Sequence, residues 1–188
     1  MSPGSRRSGK AVAATSRYDQ EIMAKLPKGV SVDLLANHPG LIRPIGEMRW
    51  LEFGHGSKDP AAFVEITARE SGRETLPVTF VAIDATGQAV GAVGWGEFDG
   101  DLNPSEHRNR SPWMFGTVVG RQSRRQGVGR LLLSHAEQWA GDQHYNQVWV
   151  ATGDEAIGFY LRCGWQDIER LRPAAIPDIP TTILTKHL

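Results

Sequence analysis

RQSRRQGVGRLLL, residues 121–133, sets four arginines and two glycines directly ahead of a run of leucines. Just before it lies WMFGTVV (113–119), short, apolar and rich in β-branched and aromatic residues, which predicts a strand. Just after it, Val128, Leu131, Leu132, His135, Ala136 and Trp139 recur at i, +3, +4, +7, +8 and +11, which predicts an amphipathic helix from Gly127 onward. The arginine–glycine segment is therefore a strand-to-helix turn. A helix N-terminus carries unpaired N–H groups and the positive end of the helix dipole, so it attracts anions. Glycine lets a ligand approach the backbone closely, and arginine presents fork-shaped donors suited to phosphate oxygens. Gly127 and Gly129, with Arg124, Arg125 and Arg130, form a candidate pyrophosphate cradle. A solvated basic loop with two turn glycines stays open on physics alone.

The totals narrow what such a cradle serves. In 188 residues, Lys+Arg and Asp+Glu are 21 each, so the formal net charge is zero and the arginine cluster is a local device. Generic nucleic-acid or membrane-surface binding usually needs a basic excess, and neither is expected here. The single cysteine, Cys163, excludes an intramolecular disulfide. With no secretory leader and no apolar run near membrane-spanning length, a soluble cytoplasmic protein is expected. Length predicts one domain, over 29–188, behind a flexible, Ser-, Gly- and basic-rich segment at 1–28.

Outward from the turn, SVDLLANH (31–38) is a candidate first strand. HPGLIRPIGEMRWLEFG (38–54) has helical periodicity through Leu41, Ile45 and Met48. DPAAFVEITARESGR (59–73) is a second helix, with Asp59 as N-cap and Pro60 at its first position. LPVTFVAID (76–84) and AVGAVGWGEF (89–98) form a hairpin around ATGQ. A polar loop (100–112) leads to the strand at 113. QVWVA (147–151) is a strand, Asp154–Arg162 a short helix ended by Gly164, and WQDIERL and TTILTKHL are two further strands. This order predicts an α/β (α+β) fold, with helices about one central mixed sheet of six to seven strands.

Two familiar phosphate loops do not fit. No GxxxxGK[ST] run occurs, and Gly127-Val128-Gly129 is followed by Leu132 where a dinucleotide fingerprint needs its third glycine. Arg124-Arg125-Gln126-Gly127-Val128-Gly129 instead reads R-x-x-G-x-G. It resembles the acyl-CoA pyrophosphate loop of the GCN5-related N-acetyltransferase (GNAT) family. Ala156-Ile157-Gly158-Phe159-Tyr160-Leu161-Arg162-Cys163-Gly164-Trp165 resembles that family's second signature, A-I-x-x-Y-x-x-x-G-[FW], in the correct order and with one strand between. The similarity is specific over residues 115–168 and agrees with the elements from residue 31 onward. In one respect the chain departs from it: the family often carries Asn three residues before the Ala of the second signature, where this chain has Gly153.

The resemblance implies acetyl-CoA as acyl donor and direct transfer of the acetyl group to a primary amine. It implies that the strand at 115–119 splays from its neighbour and offers backbone groups of Thr117 and Val119 to the pantetheine arm. Val118 points to the opposite face and supplies packing. The amides of Arg125, Gln126, Gly127, Val128, Gly129 and Arg130 would hold the pyrophosphate, and an amide near Val119 would polarise the thioester carbonyl. Tyr160, in the second signature, is implied as the group beside the CoA sulfur that protonates the leaving thiolate.

A base for the incoming ammonium has less support. Glu97 is the first choice, because alternation along WGEFD puts it on one face with Trp95 and Asp99 at a strand end near the cleft; a solvated carboxylate is the competing account. Glu106 and His107 are further candidates. His135 reads as a packed histidine and Cys163 as core filler, while Trp95 and Trp113 flank the acceptor side. The expected function is acetyl-CoA-dependent N-acetylation of a small-molecule amine, a metabolite or an amine-bearing antibiotic. Acetylation of a protein or peptide N-terminus and a non-catalytic acyl-CoA-binding module are the alternatives. Family members are often dimers, so a homodimer stays open, and the acidic cluster Glu97, Asp99, Asp101 and Glu106 would draw a cationic acceptor locally.

Overall fold

Local sequence sets the ends of most elements. The computed structural model describes residues 29–54 and 59–188. The expectation for residues 1–28 lies outside the described residues. Among the described residues seven strands form one sheet: β1 (Ser31–Leu34), β2 (Val78–Ile83), β3 (Ala89–Gly96), β4 (Trp113–Val119), β5 (Gln147–Thr152), β6 (Gln166–Leu171) and β7 (Thr181–His187). The helices are α1 (Ile42–Phe53), α2 (Pro60–Arg69), α3 (Val128–Asp142) and α4 (Asp154–Arg162). Asp59 caps α2, its carboxylate accepting from the Ala61 amide at 2.9 Å, and Pro60 follows where no helical N–H is needed. The β2–β3 hairpin closes around Asp84, whose carboxylate accepts from the amides of Thr86 and Gln88, with Gly87 at a positive φ.

The sheet order is β1-β2-β3-β4-β5-β7-β6. Every pairing is antiparallel except β4 with β5. The first strand is shorter than expected. It stops at Leu34, and Leu35–Asn37 turn in a 3-10 helix as Leu35 drops into the core.

Helices cover both faces. On one, α3 and α4 bury Leu132, Leu133, Ala136 and Tyr160 against Val93, Trp95, Met114, Val148 and Leu184. On the other, α1 packs Ile45 over Val81, Ile83, Ala92 and Val118. A separate cluster on that second face joins Leu102 of the 100–112 loop to Trp113 and Ile183. Trp95 and Trp113, expected to flank the acceptor side, are both core residues, with 0% and 1% exposure; Trp113 also borders the cavity beside the 100–112 loop, and Trp95 does not. The Trp95 indole donates to the Ala136 carbonyl, so even its polar edge is spent on α3. His135 is also misplaced by the periodic reading: Leu133 turns inward and His135 is exposed on the outer side of α3.

Two irregularities of β4 position the site. Its parallel pairing with β5 has two rungs, Trp113 with Trp149 and Met114 with Val150, and from Phe115 onward the strands part. Its register with β3 slips between Ala92, which faces Val118, and Gly94, which faces Phe115. Gly116 and Thr117 together oppose Val93 alone, which is a β-bulge, and a bulge bends and twists its strand. Gly116 takes φ 56°, a conformation that favours glycine.

Candidate active site

The arginine–glycine turn stands at the open end of the β4–β5 divergence. After Val119 the chain makes a short 3-10 turn, Arg121–Ser123, then passes Arg125 at φ 64° and Gly127 at φ 90° before entering α3. Gly127 is the N-cap and contributes no side-chain bond, and the first intrahelical bond runs from the Leu131 amide to the Gly127 carbonyl. The amides of residues 128–130 thus have no partner within the helix. Packing does not require glycine at 129. A Cβ there would make only ordinary contacts, 3.5 Å to Phe159 and 3.6 Å to Val119. Glycine in the first turn costs about 1 kcal/mol relative to alanine. Its presence fits a backbone kept bare for close approach by a ligand, as a diphosphate cradle requires.

The arginines divide the work. Arg124 turns inward: its Nε donates to the Val119 carbonyl at 2.9 Å and its Nη2 to Glu52 of α1 at 2.6 Å. It pins the turn to the end of β4 and to α1, a role that motif spacing alone does not reveal. Arg125 is exposed at the tip of the turn. Arg130 reaches across to α4, where it donates to the Arg162 carbonyl. Gln126 folds back on the Gln122 carbonyl, and Val128 is buried under the turn.

Tyr160 lies at the heart of the divergence. It is 3% exposed, between the rings of Phe159 and Trp165, whose centroids are 5.2 and 5.5 Å away. Its hydroxyl donates to Thr117 Oγ1 at 3.1 Å, so the two site residues expected from separate signatures meet across β4 and α4. Burial pushes its pKa up to about 12, against the opposing hydrogen bond with Thr117. Val118 turns the other way, into the α1 core, and Val119 packs on the α3 side. Gly153, in place of the family asparagine, caps α4 with no side-chain bond, and the Glu155 carboxylate folds back beside it.

Glu97 is not brought to this point. It is exposed just past Gly96, which pairs with Trp113 at the closed end of β4. Thr117 is four residues further on, about 13 Å along a strand rising ~3.3 Å per residue. Glu97 lines a cavity of about 610 Å³ with Glu74, Asp99, His107, Arg108 and Trp139. Asp99 is the more perturbed carboxyl there: burial raises its pKa to about 6, with the neighbouring Asp101 charge adding to the rise and backbone donors opposing it. The 100–112 loop that walls this cavity is tied down by Arg110, which pairs with Glu169 of β6 at 2.8 Å and lies over the Trp149 ring.

Sequence reasoning missed a buried ion pair on the α1 side of the bulge. Arg49 is 3% exposed and pairs with Glu70 at 2.8 Å. The signal was present: Arg49 stands four residues after Ile45, on the inward stripe of α1, where a charge demands a partner.

With this geometry in place, the comparisons are consistent. A model of the acetyltransferase (GNAT) family matches residues 43–165. The chain belongs to that family, and its class is that of acyltransferases using acetyl-CoA as donor. Among solved structures, an aminoglycoside 6'-N-acetyltransferase complexed with coenzyme A superposes with TM-score 0.68 at 15% identity, covering 84% of this chain and 96% of that one. An aminoglycoside 6'-acetyltransferase type Ii gives TM-score 0.66 at 18% identity, with coverage of 84% and 96%. A spermidine N-acetyltransferase variant from Vibrio cholerae gives 0.61 at 13%, with coverage of 86% and 95%. At such identities the likeness is one of fold. No curated protein matches the sequence.

Proposed function

We propose that this chain transfers the acetyl group of acetyl-CoA to a primary amine of a small, multiply cationic molecule. The observation that carries the transfer is the Tyr160–Thr117 contact at the mouth of the β4–β5 divergence, with the glycine turn at its open end. The amides of residues 125–130, with Arg125 and Arg130, would hold the diphosphate, and backbone groups of Thr117 and Val119 would hold the pantetheine arm. Acetyl-CoA supplies the acetyl group as an activated thioester. In the transfer, the acceptor ammonium first gives up a proton to solvent. The neutral amine nitrogen then bonds to the carbonyl carbon as the carbon–sulfur bond breaks, the sulfur leaves as thiolate, and the second proton lost from nitrogen passes to water. An amide near Val119 serves as donor to the carbonyl oxygen while charge develops there.

Tyr160 faces the leaving group as a hydrogen-bond donor. With its pKa near 12, the phenol is fully protonated at neutral pH. Complete transfer to a thiolate of pKa ~8.5 is uphill by about 3.5 pKa units, about 5 kcal/mol. Donation of a hydrogen bond to the developing thiolate carries no such cost, so Tyr160 stabilises the leaving sulfur as a hydrogen-bond donor, and the thiolate leaves without taking the phenol proton.

The acceptor class follows from the carboxylate cavity. Glu74, Glu97 and Asp99 line it together with Trp139 and Tyr145. Of the two arginines in the lining, Arg110 is paired with Glu169, so three carboxylates face Arg108, a mixture that favours ammonium groups on an apolar frame. At about 13 Å along the strand from Thr117, these carboxylates would hold a distant ammonium of the acceptor, and Glu97 acts as a binding group and not as the base. The resemblance to aminoglycoside and spermidine acetyltransferase structures points to the same kind of molecule. The test is release of free thiol from acetyl-CoA against a panel of aminoglycosides, polyamines, amino acids and short peptides. Turnover confined to molecules with two or more amines supports the proposal. Turnover of peptide N-termini alone overturns the acceptor class, and saturable acetyl-CoA binding without any thiol release leaves a non-catalytic binding module.

A further inference from the structure

Arg49 touches neither the glycine turn nor Tyr160, yet it grips the backbone that separates them. Its Nε donates to the carbonyl of Gly116 at 3.2 Å, and its Nη1 donates to Glu70 at 2.8 Å and to Thr67 Oγ1 at 3.3 Å. Its guanidinium lies 5.4 Å from the centre of the Phe115 ring. One side chain on α1 thus joins the C-terminal end of α2 to the bulge of β4. The fit is tight from both sides. A Cβ on Gly116 would stand 2.7 Å from Arg49 Nε, and a Cβ on Gly94 would stand 2.4 Å from the Phe115 ring. Thr117, the next residue, accepts the Tyr160 hydroxyl.

Stability does not account for an arginine here. Burial lowers the Arg49 pKa and raises that of Glu70, so each ion resists its own charge and only the pairing compensates. A buried ion pair exchanged for apolar residues of similar volume is often neutral or stabilising. What an apolar residue does not provide is a planar set of donors reaching α2 and the Gly116 carbonyl at once. Among the described residues Nη2 has no hydrogen-bond partner, so even this arginine leaves a buried donor unspent.

We propose that Arg49 is a positioning residue for acetyl transfer: it locks the β4 bulge so that Thr117 meets Tyr160 and the strand from 117 to 119 stays turned into the divergence. This rests on the acetyltransferase reading of the same site, so the test has one readout that needs no activity. In the double variant Arg49→Met/Glu70→Met the ion pair is gone and the volume roughly kept. Amide hydrogen exchange of residues 115–119 should then quicken by about tenfold or more, while that of 147–152 changes little. With an active acceptor, kcat should fall by about tenfold or more with the KM for acetyl-CoA changed by less than about threefold, because a small displacement of reacting groups is costly to the chemical step. Gly116→Ala should act in the same direction at 115–119, both by pushing the guanidinium away and by straining the φ 56° position. Unaltered exchange at 115–119 with kcat within about twofold overturns the proposal. So does equal loosening of all strands. If the unmodified protein turns over no amine, the acetyltransferase reading fails, and the exchange data still decide whether Arg49 locks the bulge.

Discussion

The two ends of β4 are built from the same kind of sequence and do opposite things. At the N-terminal end Trp113 and Met114 are fully buried and paired on both sides, to β3 and β5. At the C-terminal end Phe115, Gly116, Thr117 and Val119 are half-buried; Phe115 and Val119 pair with β3 alone, and Gly116 and Thr117 form the bulge. The closed end is core, and the open end leaves one edge of its backbone unpaired by β5. A strand edge left unpaired inside a sheet is a liability in an ordinary protein. Here three side-chain devices hold it open: Arg49 at the bulge, Tyr160 from α4, and Arg124 at the turn.

The sharpest way to break this contrast is to spoil the cradle at the open end. Gly127→Asp places a carboxylate where the diphosphate would lie. Aspartate tolerates the left-handed conformation at a cost of ~1 kcal/mol, so the melting temperature should fall by only a few degrees. The dissociation constant for acetyl-CoA, measured by calorimetry, should rise by about 100-fold or more, since diphosphate binding depends on positive helix-end potential. Binding kept within about threefold of the original would show that the open end is not the donor site.

A smaller effect separates chemistry from binding. Tyr160→Phe keeps the ring and its contacts with Phe159 and Trp165 and loses one hydrogen bond, worth about 1 kcal/mol. It should lower kcat by roughly 30- to 100-fold while the KM for acetyl-CoA stays put. Equal activity would make Tyr160 a packing residue and leave the opening of β4 without its donor to the leaving sulfur.

The carboxylate cavity at the closed end should respond to pH, and more weakly. Asp99 has its pKa raised to about 6 in the folded protein, against 3.8 ordinarily. Between about pH 4 and 6 the folded state holds a proton that the unfolded state has lost, so stability falls as pH rises through that window. Asp99→Asn should remove the slope, giving equal melting temperatures near pH 3.5 and a higher one than the parent at pH 7. For a cationic acceptor the sign reverses: ionised Asp99 attracts it, so KM should drop as pH rises through about 6, and Asp99→Asn should abolish the drop. Glu97→Gln should raise KM for a multi-amine acceptor by about fivefold with kcat nearly unchanged. A large fall in kcat instead would restore Glu97 as the base.

What could be read from sequence follows the same division. The proposed donor half rests on local features. Gly127 adopts φ 90°, Gly129 is bare without packing cause, and Tyr160 sits at fixed spacing from Gly164, so short motifs are enough to point to it. The strands and helices were legible too, because caps such as Asp59 and turns such as 84–88 are near neighbours in the chain. The parts that hold the strand join distant segments. Arg49, Glu70 and Gly116 meet only in the folded protein, and no periodicity links them. Alternation grouped Glu97 with Trp95 and Asp99, but it is blind to distance along a strand and to where the strand ends, at Gly96. Trp95 belongs to the core and Trp113 to both core and cavity wall, a difference hidden in one dimension because a large aromatic at a cleft edge and one in the core look alike.

Arg124 supplies the finest test of the contrast. By spacing it belongs to the phosphate motif, yet its guanidinium is bonded to the Val119 carbonyl and to Glu52, with both partners of the ion pair well exposed. An exposed pair of this kind contributes about 0–1 kcal/mol, so Arg124→Ala should lower the melting temperature by at most a few degrees. Because the fork is already engaged, acetyl-CoA affinity should weaken by less than about threefold and keep its dependence on salt, since releasing no phosphate contact leaves the ionic-strength response unchanged. Arg125→Ala, at the exposed tip, should weaken affinity more and flatten the salt dependence. The reverse pattern would mean that Arg124 abandons Glu52 when the donor binds, and that the open end of β4 is gripped by the ligand instead of being held ready for it.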